Sequence, residues 1–128
     1  MLARILVVDD DPSILTLVAE ALVDEGYEVA IARNGAEALT RLAEVVPAVL
    51  VTDLMMPIMD GPTLVRACRS KATTAALPIV VMSAALSALL GNLARLGVQE
   101  MLEKPFDIHT LVAAVDRLVV ANWRQPRA

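Results

Sequence analysis

The chain has 128 residues, of which 57% are hydrophobic and only 2% aromatic, and its formal net charge is -4 at pH 7. This length suits one domain with an aliphatic core. The acidic balance argues against nucleic-acid binding, the single Cys68 excludes an internal disulfide, and no apolar stretch reaches the ~18 residues of a membrane span. Because the N-terminus also lacks a signal-peptide pattern, we expect a cytoplasmic protein with neither nucleic acid nor membrane as a partner.

Five short apolar runs predict strands, and segments long enough for helices separate them. The runs show no polar alternation, which is typical of strands buried on both faces. The predicted strands are Arg4–Val8, Glu28–Ala32, Ala48–Thr52, Pro78–Met82 and a weaker Glu100–Glu103. Strands and helices that alternate at this spacing indicate a parallel sheet covered by helices on both sides.

Capping residues mark the ends of the predicted helices. Asp11 followed by Pro12 predicts the start of the first helix, and Gly26 predicts its end. Gly97 closes the fourth helix, and capping residues open the second, third and fifth at Asn34, Asp60 and Asp107. The last helix has apolar residues at three- and four-residue spacing, which predicts one buried face.

Carboxylates follow two of the predicted strands. Asp9, Asp10 and Asp11 come directly after the first strand, and Asp53 follows the third. Since ligands bind at the carboxyl ends of parallel strands, we expect Asp9, Asp10 and Asp53 to converge there, with Asp11 as a helix cap. Like charges at about 5 Å repel by roughly 3 kcal/mol at an effective dielectric of about 20, so these acids predict a bound cation.

Two more polar residues follow strands in the same way. Ser83 comes after the fourth predicted strand, and Lys104 comes after the fifth and precedes Pro105. A compact ammonium at a strand end balances a carboxylate cluster or binds a phosphoryl oxygen. The sequence therefore predicts that carboxylates, a hydroxyl and an ammonium share one edge of the sheet.

Four motifs stand in order along the chain: Val7-Val8-Asp9-Asp10, then Thr52-Asp53 with Met56-Pro57 and Asp60-Gly61, then Met82-Ser83-Ala84, and finally Lys104-Pro105-Phe106. Together they resemble the receiver domain of two-component response regulators, over essentially the whole chain. The resemblance implies a single doubly wound five-stranded parallel sheet of flavodoxin-like strand order 2-1-3-4-5, with five helices. The receiver domain would cover residues 1–122, followed by a short tail over residues 123–128.

The resemblance also implies a role for each site residue. Asp53 would accept a phosphoryl group from a sensor histidine kinase or a phosphotransfer protein, so the chain would be a signalling switch rather than a metabolic enzyme. Mg²⁺ would be held by four groups, which are the side chains of Asp9, Asp10 and Asp53 and the backbone carbonyl of Met55. Ser83 and Lys104 would bind the phosphoryl oxygens, and the bond from Lys104 to Pro105 would be cis.

Three positions depart from the family's pattern. Met101 stands where the family usually has an aromatic residue that moves with the hydroxyl residue, and methionine repacks but has no ring. Met55 and Ala85 are apolar where polar or acidic residues of the family orient a water against the phosphoryl group. We therefore expect slow self-dephosphorylation.

A leucine-rich segment follows the fourth predicted strand. Apolar residues spread over more than half of the circumference of the predicted fourth helix, at Leu86, Leu89, Leu90, Leu93 and Leu96. Large apolar patches tend to mark contact surfaces, although an alanine-rich helix with harmless exposed leucines is the simpler interpretation. Members of the family often dimerise through the fourth helix, the fifth strand and the fifth helix, so we expect a partner or homodimer face there.

Other functions remain open at this point. A receiver-like adaptor that binds proteins without being phosphorylated is favoured by Met101 and by the leucine-rich segment, but the intact acids oppose it. A magnesium phosphohydrolase would need a second acid at the place of Met55. A flavin nucleotide carrier would need hydroxyls or glycines after the first strand, where this chain has three carboxylates.

Overall fold

The computed structural model describes residues 2–84 and 95–124. Five strands lie within these ranges: β1 Arg4–Val8, β2 Glu28–Ala32, β3 Val49–Asp53, β4 Ile79–Ser83 and β5 Glu100–Glu103. Four helices are described, namely α1 Pro12–Asp24, α2 Gly35–Glu44, α3 Gly61–Arg69 and α4 Ile108–Arg124. Five helices were predicted, and the predicted fourth one falls largely on residues 85–94, outside the described ranges.

The strands form one parallel sheet of order β2-β1-β3-β4-β5, which confirms the predicted order. The predicted bounds of β3 and β4 were one residue too early, because Asp53 and Ser83 are the last residues of these strands. In β3 the backbone pairing extends past the hydrophobic residues, since Asp53 is still paired in register with Met82 of β4. The helix α4 runs to Arg124, past the predicted domain end at residue 122.

Helices cover both faces of the sheet, and alternate strand residues point to each. On one face α1 and α4 bury Leu15, Val18, Leu22, Leu111 and Val115 against strand residues such as Ile5, Val7 and Val51. On the other face α2 and α3 bury Ala38, Leu42, Leu64, Val65 and Cys68 against Leu6, Val8 and Leu50. Each buried leucine or valine contributes about 1.5–3 kcal/mol, so these two layers hold the strand ends in place.

The caps predicted at Asp11 and Asp60 are confirmed. Asp11 accepts a hydrogen bond from the backbone amide of Ser13, and Asp60 accepts one from Thr63, each at 2.9 Å. Gly26, after α1, has φ +104°, a conformation that residues with a side chain rarely adopt. No helix in the described part of the chain is both long enough and apolar enough to cross a bilayer.

Candidate functional site

The carboxyl ends of three strands carry charged side chains that meet. Asp9 directly follows β1, Asp53 ends β3, and Lys104 directly follows β5. The strands β1 and β3 are neighbours, and their register pairs the last residue of β1 with the residue before Asp53. Asp9 is fully buried and Asp53 is 5% exposed, whereas Asp10 lies at the surface. The predicted convergence of the acids is thus present in the fold.

Carboxylate oxygens of Asp9, Asp10 and Asp53 all lie within 4.8 Å of one another. Oxygen ligands on opposite sides of a magnesium ion are about 4.2 Å apart, because each Mg–O distance is about 2.1 Å. The spacing of the cluster is therefore close to the one that a small hard cation requires. Together with Lys104, the ionised cluster has a net charge of -2, which a divalent cation neutralises.

Lys104 connects the two buried acids. Its Nζ donates a hydrogen bond to Oδ2 of Asp9 at 2.8 Å and lies 3.6 Å from Oδ1 of Asp53. Burial alone would lower the pKa of Lys104. The hydrogen bond to Asp9 and the negative charges of Asp53 and Asp9 outweigh that effect, so the pKa is raised. The side chain is therefore an ammonium at every physiological pH, placed to bind an anionic group at Asp53.

The environment of Asp53 disfavours its charge. Burial is the main cause that raises the pKa of Asp53, and the negative charge of Asp9 adds to it. The charge of Lys104 and backbone hydrogen bonds from Leu54 and Met55 act in the opposite direction but are weaker. The amide of Leu54 donates to Oδ1 at 2.9 Å, which fixes the orientation of the carboxylate. A cation beside Asp53 would favour its ionised form.

Two contributions to the site were missed at the sequence level. The backbone amide of Asp11 donates to Oδ1 of Asp9 at 2.9 Å, so both oxygens of Asp9 have a partner. At Gly61, a Cβ atom would lie 2.6 Å from the carbonyl oxygen of Asp53 and from Cα of Leu54. The start of α3 therefore packs directly against the end of β3, and only glycine fits there. The Asp60-Gly61 pair in the sequence was the available signal, but it indicated a helix start and a family motif, and not a contact between α3 and β3.

The remaining predicted residues lie around this cluster. Ser83 is fully buried at the end of β4, and its carbonyl accepts a hydrogen bond from the amide of Lys104 at 2.9 Å. The peptide bond between Lys104 and Pro105 is cis, the isomer that the resemblance implied. Met101 lies on β5, half-buried against the core face of α2 and α3. The side chain of Met55 is 59% exposed, and residue 85 lies outside the described ranges.

Comparisons with known proteins identify the same family over nearly all of the chain. The family model of the response regulator receiver domain matches residues 5–116. The chain is 40% identical over 117 residues to the sensor histidine kinase TmoS of Ectopseudomonas mendocina, covering 91% of this chain and 12% of that protein. It is 35% identical over 129 residues to the DNA-binding response regulator MtrA of Mycolicibacterium smegmatis, covering 98% of this chain and 54% of that protein. The chain thus spans about half, or less, of these curated relatives.

Solved structures of similar size share the fold. The chemotaxis response regulator CheY4 of Vibrio cholerae aligns with a TM-score of 0.84 at 32% identity, covering 92% of this chain and 99% of that one. A sensor protein from Polaromonas sp. JS666 aligns with a TM-score of 0.87 at 34% identity, covering 94% and 98% respectively. The similarity therefore extends over nearly the full length of both structures.

Proposed function

The chain belongs to the response regulator receiver domain family, a signalling family, and on that premise we propose that it is a phosphorylation switch with Asp53 as its phosphoacceptor. The donor is a sensor histidine kinase or a phosphotransfer protein. One observation carries the proposal: a nearly buried carboxylate lies beside two further carboxylates and within 3.6 Å of an ammonium. This arrangement supplies a nucleophile, a cation site and a fixed positive charge in one place.

The proposed reaction is a transfer between a phosphohistidine and Asp53. A carboxylate oxygen of Asp53 attacks the phosphorus, the P–N bond to the donor breaks, and its electron pair stays on the donor imidazole. The hydrogen bond from the amide of Leu54 holds the carboxylate in position, and its low exposure limits access of water. Lys104 then pairs with an oxygen of the acyl phosphate, and the hydroxyl of Ser83 donates to another.

Receiver domains generally bind Mg²⁺ at an acidic pocket, and the carboxylate cluster of this chain fits that ion. We propose that it is held by the side chains of Asp9, Asp10 and Asp53 and by the backbone carbonyl of Met55. When bound, magnesium supplies positive charge that offsets the charge of the transferring phosphoryl group. Asp9 is already oriented for this role by Lys104 and by the amide of Asp11.

Intact-mass measurement after incubation with magnesium and a small-molecule phosphodonor tests the proposal. We expect one added phosphoryl group on the wild type, and none on Asp53→Ala or after chelation of the metal. Asp24→Ala is the matched control, because Asp24 is an exposed aspartate at the end of α1 and should leave the adduct unchanged. An adduct that persists on Asp53→Ala, or no adduct on the wild type, would contradict the assignment.

The output surface is proposed to comprise residues 85–94, β5 and α4. In its described part, Arg117 of α4 donates to Glu100 of β5 at 2.7 Å, and Val120 is 47% exposed. We propose that phosphorylation changes homodimer or partner binding on this face. Light scattering with and without a phosphoryl analogue tests whether the protein dimerises. A monomeric mass in both states at high protein concentration would contradict the proposed homodimer.

A phosphorylation-independent adaptor is the second candidate. Met101 favours it, because a half-buried thioether on β5 has no ring to report a movement of Ser83. A protein that lacks both the phosphoryl adduct and magnesium binding, yet retains a partner, would favour the adaptor over the switch.

A further inference from the structure

A second polar site lies at the opposite edge of the sheet from the acids, where the chain enters β4 and β5. A cavity of about 400 Å³ opens there, near the lower end of the range for small-molecule pockets. Its polar side chains are those of Arg69, Arg95 and Gln99, and no acidic residue is among the described residues that line it. Ala75 and Leu96 add an apolar wall.

Arg69 is a fixed, half-buried cation in this cavity. Its Nε donates to the carbonyl of Leu96 at 2.7 Å and its Nη2 to the carbonyl of Gly97 at 3.1 Å. Its Nη1 reaches three more carbonyls, those of Thr74, Ala75 and Leu77. Burial lowers the pKa of Arg69, and no described carboxylate pairs with it. One N–H of Nη2 is left without an acceptor among the described residues.

Gln99 and Arg95 also offer only donors to the cavity. The backbone amide of Ile79 donates to Oε1 of Gln99 at 2.7 Å, so the oxygen is occupied, and the NH₂ group has no acceptor in the described part of the chain. Arg95 is exposed and forms no hydrogen bond or ion pair within the described ranges. Two guanidinium groups and an amide NH₂ around one cavity match a ligand that only accepts hydrogen bonds.

We propose that this cavity binds a small oxyanion, namely a phosphate or carboxylate group, between Arg69, Arg95 and the NH₂ group of Gln99. Guanidinium groups bind both anions through their N–H donors. Arg95 can offer a pair of them, and Arg69 adds the one N–H of Nη2 that has no acceptor among the described residues. The wall formed by Ala75 and Leu96 accommodates a short carbon chain, so the ligand class is a small organic phosphate or carboxylate. The site lies at the amino ends of β4 and β5 and uses none of the residues around Asp53. A test of this site is therefore independent of the proposed phosphorylation switch.

NMR titration of the full chain tests the site. Sodium phosphate and sodium acetate are each compared with sodium chloride at equal ionic strength, on protein freed of metal beforehand on a chelating resin, so that no soluble chelator competes for the cavity. We expect saturable shifts of the backbone amides of residues 75–77 and 96–99. Saturation by either anion supports the site, and the tighter of the two identifies the group that it recognises.

Variants test which side chains bind the anion. Arg95→Gln should weaken binding by about tenfold or more, since a charge-assisted hydrogen bond is lost. Arg41→Gln is the matched control, because Arg41 is also exposed and also has no ion pair within the described ranges. Gln99→Glu keeps an acceptor for the amide of Ile79 but replaces the donor group with an oxygen, so it should abolish binding.

Three results would overturn the proposal. The first is equal affinity in the wild type, Arg95→Gln and Gln99→Glu, with dispersed spectra showing that all three are folded. The second is a shift that grows with anion concentration without saturating, as bulk salt would give. The third is a set of shifts confined to the surroundings of Asp53, which would place the anion at the other edge of the sheet.

Discussion

Lys104→Met removes the ammonium from the acidic site and keeps a side chain of similar length. The Nζ atom is 2.8 Å from Asp9 and 3.6 Å from Asp53. At an effective dielectric of about 20, these distances correspond to attractions of about 6 and 5 kcal/mol before desolvation is subtracted. Removing one member of a buried pair costs about 3–5 kcal/mol. Because the Lys104 side chain is 19% exposed, we expect the low end, about 3 kcal/mol at pH 7 without magnesium.

Thermal and urea unfolding measure this loss. A domain of this size shifts its Tm by about 4 °C for each kcal/mol, so Lys104→Met should melt roughly 12 °C below the wild type. Lys71→Met is the matched control, since Lys71 is the only other lysine and is exposed. A surface substitution of this kind should change the free energy of unfolding by no more than about 0.5 kcal/mol.

The pH dependence identifies the cause. The pKa of Lys104 is raised above its ordinary value of 10.5, so its stabilisation is complete below pH 10.5 and is lost as the pH rises through the raised pKa. Wild type and variant should therefore converge in strong alkali. Magnesium should reduce the difference in the free energy of unfolding between wild type and Lys104→Met at pH 7, because it also neutralises the acids. Two results would refute the reasoning that the ammonium balances these carboxylates. One is a loss of stability in Lys104→Met no larger than in Lys71→Met, and the other is a difference between wild type and Lys104→Met that neither alkali nor magnesium changes.

Three further changes address other parts of the site. Asp53→Asn should raise the free energy of unfolding at pH 7 without magnesium, and urea unfolding should show this gain disappear below the ordinary pKa of 3.8. The reason is that a raised pKa makes the ionised Asp53 a cost to folding above that pKa. Gly61→Ala should destabilise by about 1–3 kcal/mol in the same assay, because its Cβ would overlap the carbonyl of Asp53. Met55→Glu should shorten the half-life of the phosphorylated protein by about tenfold, measured by intact mass, because one water would gain an oriented acceptor.

The sheet and the acidic cluster were predictable because parallel strands all end at the same edge of a sheet, so the residues that follow them lie close together. A charged residue after a buried strand must lie at the carboxyl edge, so Asp9, Asp53 and Lys104 could be placed together from sequence. The ends of β3 and β4 were set one residue too early for a related reason. The predicted strands ended at Thr52 and Met82, before the polar residues Asp53 and Ser83, whereas backbone pairing continues into those two residues.

Contacts that depend on tertiary distances were not predictable. The sequence places Lys104 near two acids but does not show that its hydrogen bond goes to Asp9 rather than Asp53. Gly61 resembles any glycine after a capping aspartate until β3 is placed against α3. Arg69 resembles a surface arginine in a helix, since its acceptors Leu96 and Gly97 lie 27 and 28 residues further along.

The two polar sites share one physical feature, which is a charged side chain that backbone groups orient, in surroundings whose net charge the described residues do not cancel. Asp9 is fixed by the amide of Asp11 in a cluster with excess negative charge, and Arg69 is fixed by carbonyls in a cavity without described acids. A five-residue strand separates the two edges by about 13 Å, which exceeds the distance within which sites usually couple. Magnesium and an oxyanion should therefore raise the Tm of the protein additively. A shift with both ligands that departs clearly from the sum of the separate shifts would show that the sheet transmits one binding event to the other edge.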